Sequence, residues 1–382
     1  MDKVAVSRCR SYDQQIVDRA VKRCMEALGG VGLFARRGER VFLKLNLLLP
    51  VPPGRGVTTH PAVVRAVTEQ IQSCGATVVL GDSPGGPVSE TLLRVLYRTS
   101  GIEAVARQTG ADLNFDTRES TLKNPSGAVS KALPVMRALL ECDGIINLPK
   151  LKTHGLTVIT CAVKNMFGAI PGAKKSEYHL KMPESRVFSE LLVDIAQATA
   201  PRLSLLDAVV SMEGAGPSHG KLVNTGLVAA SESAYALDMV AAHIAGVPAS
   251  RVPTVAAAQK RGLGPSSLDD IEVAGENLRD IAGSFALAPG SEATNPFGWF
   301  LPRSLAEQAA RMVRPFPVFD EGVCTGCGTC ARQCPPGAIT IDARLPKADL
   351  SKCIRCFCCQ ELCPQGAVRV ARPWFGRTFG RR

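Results

Sequence analysis

Val41-Phe-Leu-Lys44-Leu-Asn46-Leu47, then Pro61-Ala-Val-Val-Arg-Ala-Val-Thr-Glu-Gln-Ile-Gln-Ser-Cys74, then Thr77-Val-Val-Leu80-Gly81-Asp82-Ser83-Pro84: these pieces, in that order, decide the fold. The first is an apolar, β-like run. The second follows a Thr-Thr-His-Pro start and carries apolar residues at helical spacing. The third is a short apolar strand that breaks into a Gly-Asp-Ser-Pro loop. Downstream the theme returns. Gly144–Leu148 ends in Pro149-Lys150, Leu203–Leu206 ends in Asp207, and helical stretches follow at 184–199 and 234–245. Such alternation predicts a large α/β domain over residues 1–285, built on a mostly parallel sheet.

Sheets of this kind bind ligands beyond the carboxyl ends of their strands. That rule puts Lys44, Asn46, Asp82, Lys150, Lys152, His154 and Asp207 on one candidate rim. The densest polar signal is Asn147-Leu-Pro-Lys150-Leu-Lys152-Thr153-His154, followed by Val163-Lys164-Asn165-Met-Phe-Gly168 and Gly172-Ala-Lys174-Lys175-Ser-Glu-Tyr-His179. Lysine supplies a point charge for carboxylate or phosphate, and histidine moves protons near neutral pH. An anion pocket is the sharper reading of this segment; a basic surface loop with one capping histidine is the plainer one. Lys150, Lys152 and His154 are the catalytic candidates, and Lys44, Asn46, Asp82, Lys164 and Asn165 the cofactor-binding ones. Glu213 and His219, around a glycine-rich turn, either join them or form a simple surface turn. Gly214–Lys221 and Gly168–Lys174 have the wrong spacing for a phosphate loop. No dinucleotide fingerprint or nucleophile elbow is present.

Fourteen cysteines suggest disulfides until they are mapped: nine lie between Cys324 and Cys363, which points to metal instead. One run is Cys324-x2-Cys327-x2-Cys330-x3-Cys334-Pro335, and the other is Cys353-x2-Cys356-x2-Cys359-x3-Cys363-Pro364. Pro335-Pro-Gly-Ala-Ile-Thr-Ile341 answers Pro364-Gln-Gly-Ala-Val-Arg-Val370, so the module is an internal repeat. Three cysteines at two-residue spacing wrap one cubane, while the fourth, before proline, reaches the other. The expectation is two 4Fe–4S clusters. One is held by Cys324, Cys327, Cys330 and Cys363, the other by Cys353, Cys356, Cys359 and Cys334. Zinc sites call for pairs of cysteines with longer linkers. Cys358 stands where the first copy has Thr329. It is a bystander thiol or a backup ligand, and bystander is preferred because the ligand set is complete without it.

Residues 320–371 closely resemble bacterial two-cluster ferredoxins, a small α+β fold, which implies low-potential, one-electron carriage. Lys44-x-Asn46, Thr59-His60-Pro61, Gly81-Asp82-Ser83, Asn147-Leu-Pro-Lys150-x-Lys152-Thr-His154, Val163-Lys164-Asn165-x-Phe-Gly168 and Met212-Glu213-Gly-x-Gly216-Pro217 together resemble the bacterial and archaeal family named domain of unknown function 362. That family often carries a C-terminal pair of ferredoxin repeats, and the resemblance covers about residues 1–371. It implies a fold distantly similar to nickel-pincer lactate racemase. That activity is not carried over, because no clear match to the enzyme's cofactor-lysine and histidine set is present.

The rest of the chain sets bounds. Residues 286–319 read as a Pro/Gly-rich linker around an amphipathic stretch, Arg303–Val313, and residues 372–382 as a basic, aromatic tail. Net charge is +11, yet the basic residues are scattered and no nucleic-acid-binding signature accompanies them. An acidic redox partner protein or an anionic small molecule suits that charge better. No apolar run is of membrane-spanning or signal-peptide length, so a cytoplasmic protein is expected. The leading expectation is an iron–sulfur oxidoreductase acting on an anionic substrate or cofactor. A non-enzymatic electron carrier or docking protein, and a metal-cofactor isomerase with accessory clusters, are the alternatives.

Overall fold

The computed structural model describes residues 1–291 and 314–373. The proposed linker helix at 303–313 and most of the tail lie outside those residues. In chain order the strands of the large domain are β1 Asp2–Arg8, β2 Arg40–Lys44, β3 Thr77–Gly81, β4 Asp112–Leu113, β5 Glu119–Lys123, β6 Ala132–Met136, β7 Gly144–Asn147, β8 Lys150–His154, β9 Val158–Thr160, β10 Leu203–Glu213, β11 Lys221–Ser231 and β12 Ile271–Gly275. Ten of them form one sheet in the order β12-β1-β11-β10-β7-β2-β3-β4, with β8 paired to β10 and to β9; β5 and β6 make a separate hairpin. The run from β10 through β7, β2 and β3 to β4 is parallel. The pairings of β11 with β1 and β10, and of β8 with β9, are antiparallel. The domain is therefore a mostly parallel, mixed α/β sheet.

Both faces of that sheet are covered, and strand alternation sorts the side chains. Val41, Leu43, Val78, Leu80 and Ile146 pack on one side, with Val17, Val63 and Leu93 of helices 14–27, 61–73 and 90–99. Phe42, Val79 and Ile145 pack on the other, with Phe188, Leu237 and Val255 of helices 185–199, 234–244 and 253–260.

The structure departs from the sequence reading at two polar positions. Lys150–His154 is a buried strand, neither a rim loop nor a surface loop. Asp207 lies in the middle of an eleven-residue strand and does not end a short one. The two departures share a cause. β10 is long enough to pair first with β7 and then, in the same register, with β8 at Lys150, the register shifting only farther along, between Asp207 and Met212. Pro149, which has no N–H to give to a ladder, separates β7 from β8.

The C-terminal module is a small α+β unit. Phe316–Phe319 pairs antiparallel with Val368–Ala371, and Ile339–Asp342 with Leu345–Ala348. Its first strand lies inside the stretch read as linker. The repeat is visible in the backbone: Asp320 N donates to Ala367 O and Asp349 N to Ala338 O, both at 2.8 Å. The copies differ at two left-handed positions. Gly326 and Gly328 have positive φ in the first copy, and Arg355 and Phe357 hold the same conformation in the second. Glycine adopts it freely, whereas other residues pay roughly 1–2 kcal/mol. Each exception has a partner. The Phe357 ring lies against Gly155 of the large domain and Gly290 just after it, and Arg355 Nη1 donates to the carbonyls of Arg314 and Pro315.

Candidate functional site

A cavity of about 90 Å³ opens at the carboxyl ends of β2 and β3, beside β8. Lys44, Asn46, Asp82, Lys150, Lys152, His154, Lys164 and Asn165, the three catalytic and five cofactor-binding candidates read from the sequence, all line it, whereas Asp207, placed on the same rim, does not. Period-two alternation explains the core of the set. Lys150, Lys152 and His154 occupy alternate positions of β8 and share one face, while Leu151 points into the apolar core.

Each cation has a distinct arrangement. Lys44 Nζ pairs with Asp82 Oδ1 at 2.7 Å. Asp82 also accepts from the amides of Leu47 and Ser83, which fixes the loop after β3. Lys150 Nζ lies 2.8 Å from Asp207 Oδ2 and contacts the Tyr12 hydroxyl, which in turn donates to Asp207 Oδ1. Its ammonium is thereby committed to holding β8 on β10. Lys152 Nζ donates to Asn46 Oδ1 at 2.8 Å and to Val57 O at 2.7 Å. An amide chain continues from there: Asn46 Nδ2 donates to Asn165 Oδ1, Asn165 Nδ2 to Asn147 Oδ1, and Asn147 Nδ2 to Ala162 O and Ser204 Oγ. A satisfied buried network of this kind fixes side-chain positions. Buried Asp238 accepts from the amides of Ala162 and Val163 and so anchors the short helix that carries Lys164 and Asn165.

Desolvation dominates the electrostatics. Burial, with same-sign repulsion from Lys150 and Lys164, lowers the Lys152 pKa to about 7. Burial likewise brings Lys175 to about 7. Burial also lowers His154, and Glu361 opposes that shift. His154 Nδ1 accepts from the amides of Leu156 and Thr157, so the ring proton sits on Nε2.

That Nε2 faces a carboxylate from the other unit. Glu361 Oε1 stands 2.9 Å away, close in distance though poorly aligned for a hydrogen bond. Burial works to raise the Glu361 pKa, but His154 first, and then Lys164, hold it down at about 2. Cys358 and Leu362 line the same cavity. The ferredoxin-like module is thus one wall of the site. Its seat on the large domain is made by Gln360 Nε2 to Ala215 O, Ser218 Oγ to Glu361 O, and His219 Nε2 to Cys363 O. His219 therefore serves the seat. Glu213 accepts from Ala286 N in the turn beneath it, and neither lines the cavity.

Sequence reasoning missed Glu361 and underrated Cys358; Lys175 and His179 were noticed only as part of a basic segment. A signal was available for the first two. Set in register, the repeats put Phe357, Cys358, Glu361 and Leu362 against Gly328, Thr329, Arg332 and Gln333. The second copy departs from the first where it meets the large domain.

The cysteines of the module act on one another electrostatically. Cys330 feels Cys363, Cys324 and Cys327, and a void of about 20 Å³ opens among these four. Cys334 feels Cys356 and Cys353, and Cys359 feels all three and Cys330 as well. Every cysteine thiol among the described residues is free. The amides of Ala338 and Ala367 donate to Cys334 Sγ and Cys363 Sγ, at equivalent places in the two copies. A soft thiolate set of this arrangement fits 4Fe–4S chemistry.

Comparison with known proteins agrees with both units. The family described as domain of unknown function (DUF362) matches residues 41–243, and the 4Fe-4S dicluster domain matches residues 316–364. A thylakoid-associated protein of Synechocystis sp. is 35% identical over 272 residues, covering 70% of this chain and 81% of that one. Among solved structures, the lactate racemase apoprotein from Thermoanaerobacterium thermosaccharolyticum is similar over 61% of this chain and 55% of its own, at 14% identity and a TM-score of 0.39. A Thermotoga maritima protein is similar over 54% and 52%, at 11% identity and a TM-score of 0.27. The match spans about half of either solved chain, too loosely for any chemistry to be transferred. The chain belongs to the DUF362 family and is an iron–sulfur protein with a 4Fe–4S ferredoxin-type domain. No helix among its described residues is long and apolar enough to cross a membrane.

Proposed function

We propose that this member of the DUF362 family is an oxidoreductase that exchanges single electrons between two 4Fe–4S clusters and a small anionic substrate or cofactor in the cavity. Cys324, Cys327, Cys330 and Cys363 would hold one cluster, and Cys353, Cys356, Cys359 and Cys334 the other. Bound there, the clusters supply electrons one at a time. The observation that carries the reading is the shared wall. Cys358 and Glu361 line the cavity, and both are sequence neighbours of the ligand Cys359. A module that only docked partners would not need to close a polar cavity with its cluster-bearing helix.

The protein's own groups divide the remaining work. Lys152, held by Asn46 and Val57, keeps one N–H free for an anion. Lys164 adds charge without a committed carboxylate at ion-pair distance. His154 holds its proton on Nε2 at the wall and is placed to move it when an electron changes the ligand's basicity. Lys150 positions β8 and does not touch the ligand. The docked module keeps water away, which strengthens each of these interactions. An acidic protein remains the partner proposed to exchange electrons with the module.

Mass spectrometry of small molecules released from anaerobically purified protein would identify the ligand. Reoxidation of dithionite-reduced protein by that ligand is then the test. Lys152→Ala, His154→Ala and Glu361→Gln are expected to slow it roughly 100-fold with iron content unchanged. Equal rates in all three would contradict the proposal and favour the non-enzymatic carrier.

A further inference from the structure

We infer that the cavity takes a small dianion, either a dicarboxylate or a phosphate-bearing metabolite, seated among Lys152, Lys164, Lys175 and His179. The inference rests on the anion-binding reading above and narrows it.

Charge balance is the first support. Five lysines line the cavity, and three carboxylates face them: Asp82, Asp207 and Glu361. Asp82 is paired with Lys44 and Asp207 with Lys150, at 2.7 and 2.8 Å. Among the described residues, Lys152, Lys164 and Lys175 have no carboxylate at ion-pair distance; they feel Glu361, whose ion-pair partner is His154 Nε2, and Asp82, already paired with Lys44. With every lysine protonated, two positive charges are left over. Burying cations without counter-charge is expensive, and proteins tolerate it where a ligand supplies the missing charge.

Unused hydrogen-bonding capacity is the second. Among the described residues, Lys175 Nζ donates to Ser83 O alone. Among the same residues, Lys164 Nζ has only the face of the Phe167 ring, 5.1 Å from its centroid. His179 is 5% exposed, stacks on Phe188, and its Nδ1 has no partner. Three lysines and a histidine on one cavity thus keep polar capacity that the protein itself does not use. Size is the third. A volume of about 90 Å³ holds on the order of six to nine waters. That suits a compact metabolite.

The free site carries a titration signature. Lys152 is faced by Lys150 and Lys164 and, with opposite sign, by Glu361 and Asp82. Lys175 is faced by Lys44 and Lys164 and, with opposite sign, by Asp82 and Glu361. Both stand at about 7. A bound dianion favours their charged forms and raises both pKa values. Binding above pH 7 therefore takes up protons, and affinity falls as pH rises through the neutral range.

Calorimetry of the anaerobic, cluster-loaded full chain at pH 8, in two buffers of different ionisation enthalpy, tests this with malonate, inorganic phosphate and acetate. Malonate or phosphate is expected to bind at least ~10-fold more tightly than acetate, with uptake of about one to two protons. A preference for malonate would identify a dicarboxylate, and a preference for phosphate a phosphate group. Lys164→Met and Lys175→Met should each lose ~10-fold in that affinity, with iron content unchanged. Acetate binding as tightly as both dianions overturns the inference while leaving an anion pocket in place. No binding by any probe overturns the anion pocket as well. Undiminished binding in both variants places the anion elsewhere and overturns the inference.

Discussion

Gly168 shows how little slack the site has. A Cβ at this position would lie 2.2 Å from Lys44 Nζ and 2.3 Å from Asp82 Oδ1. The backbone approaches that buried ion pair so closely that only glycine fits. Gly168→Ala should therefore displace the pair and, with it, the loop that Asp82 fixes through Leu47 and Ser83. We expect a loss of about 1–3 kcal/mol in stability by denaturant titration, together with weaker anion binding. Unchanged stability would mean that the pair can move freely. At this scale much was legible in the sequence. Lys44, Asn46, Asp82, Lys164 and Asn165 stood out because lysines and amides beside apolar strands need a reason to be there. The use each makes of its polar atoms was not legible. Lys150 reads like Lys152 in the sequence, but Asp207 and Tyr12 occupy its ammonium from strands and loops far along the chain.

The strand β8 and the second cysteine repeat are where the elements tell more than their residue types. Two lysines and a histidine in five residues read as an anion pocket beyond a strand's end or as a surface loop, not as a strand, because β-propensity is low there. Pairing with the long β10 overrides propensity, a tertiary effect that no window of sequence contains. The short cluster-bearing helix Cys358–Glu361 begins from Phe357, whose left-handed conformation replaces a glycine of the first copy. Phe357→Gly should relieve local strain of roughly 1–2 kcal/mol but lose the ring's contact with Gly155 and Gly290. Amide exchange at residues 214–219, beneath the seat, is expected to quicken while iron content holds. Unaltered exchange would show that the ring does not anchor the module. The crossed cysteine groups give a second expectation. Cys334→Ala should damage the cluster that uses Cys353, Cys356 and Cys359, leaving the one nearer in sequence. Cys358→Ala should leave both in place. Iron analysis with electron paramagnetic resonance separates the two outcomes: loss of the cluster bound by Cys324, Cys327 and Cys330 in the Cys334 variant would contradict the crossed assignment.

At the scale of the whole molecule, a parallel-sheet domain supplies a polycationic cavity and a ferredoxin-type module closes it. Both halves were readable as halves, from strand–helix alternation and from cysteine spacing. Their junction was not, because the residues that make it are scattered among Gly155, 214–219, Gly290 and 357–362. The central claim is that cavity and clusters act on one another electrically. Lys164 lies within electrostatic reach of Cys358 and Glu361. A cation near a cluster favours the reduced state, and removing it makes reduction harder. The most direct measurement is an anaerobic redox titration of wild-type and Lys164→Met proteins followed by electron paramagnetic resonance. The prediction is a shift of one cluster, that of Cys334, Cys353, Cys356 and Cys359, to lower potential, with the other unmoved. Identical potentials for both clusters in the two proteins would contradict the account.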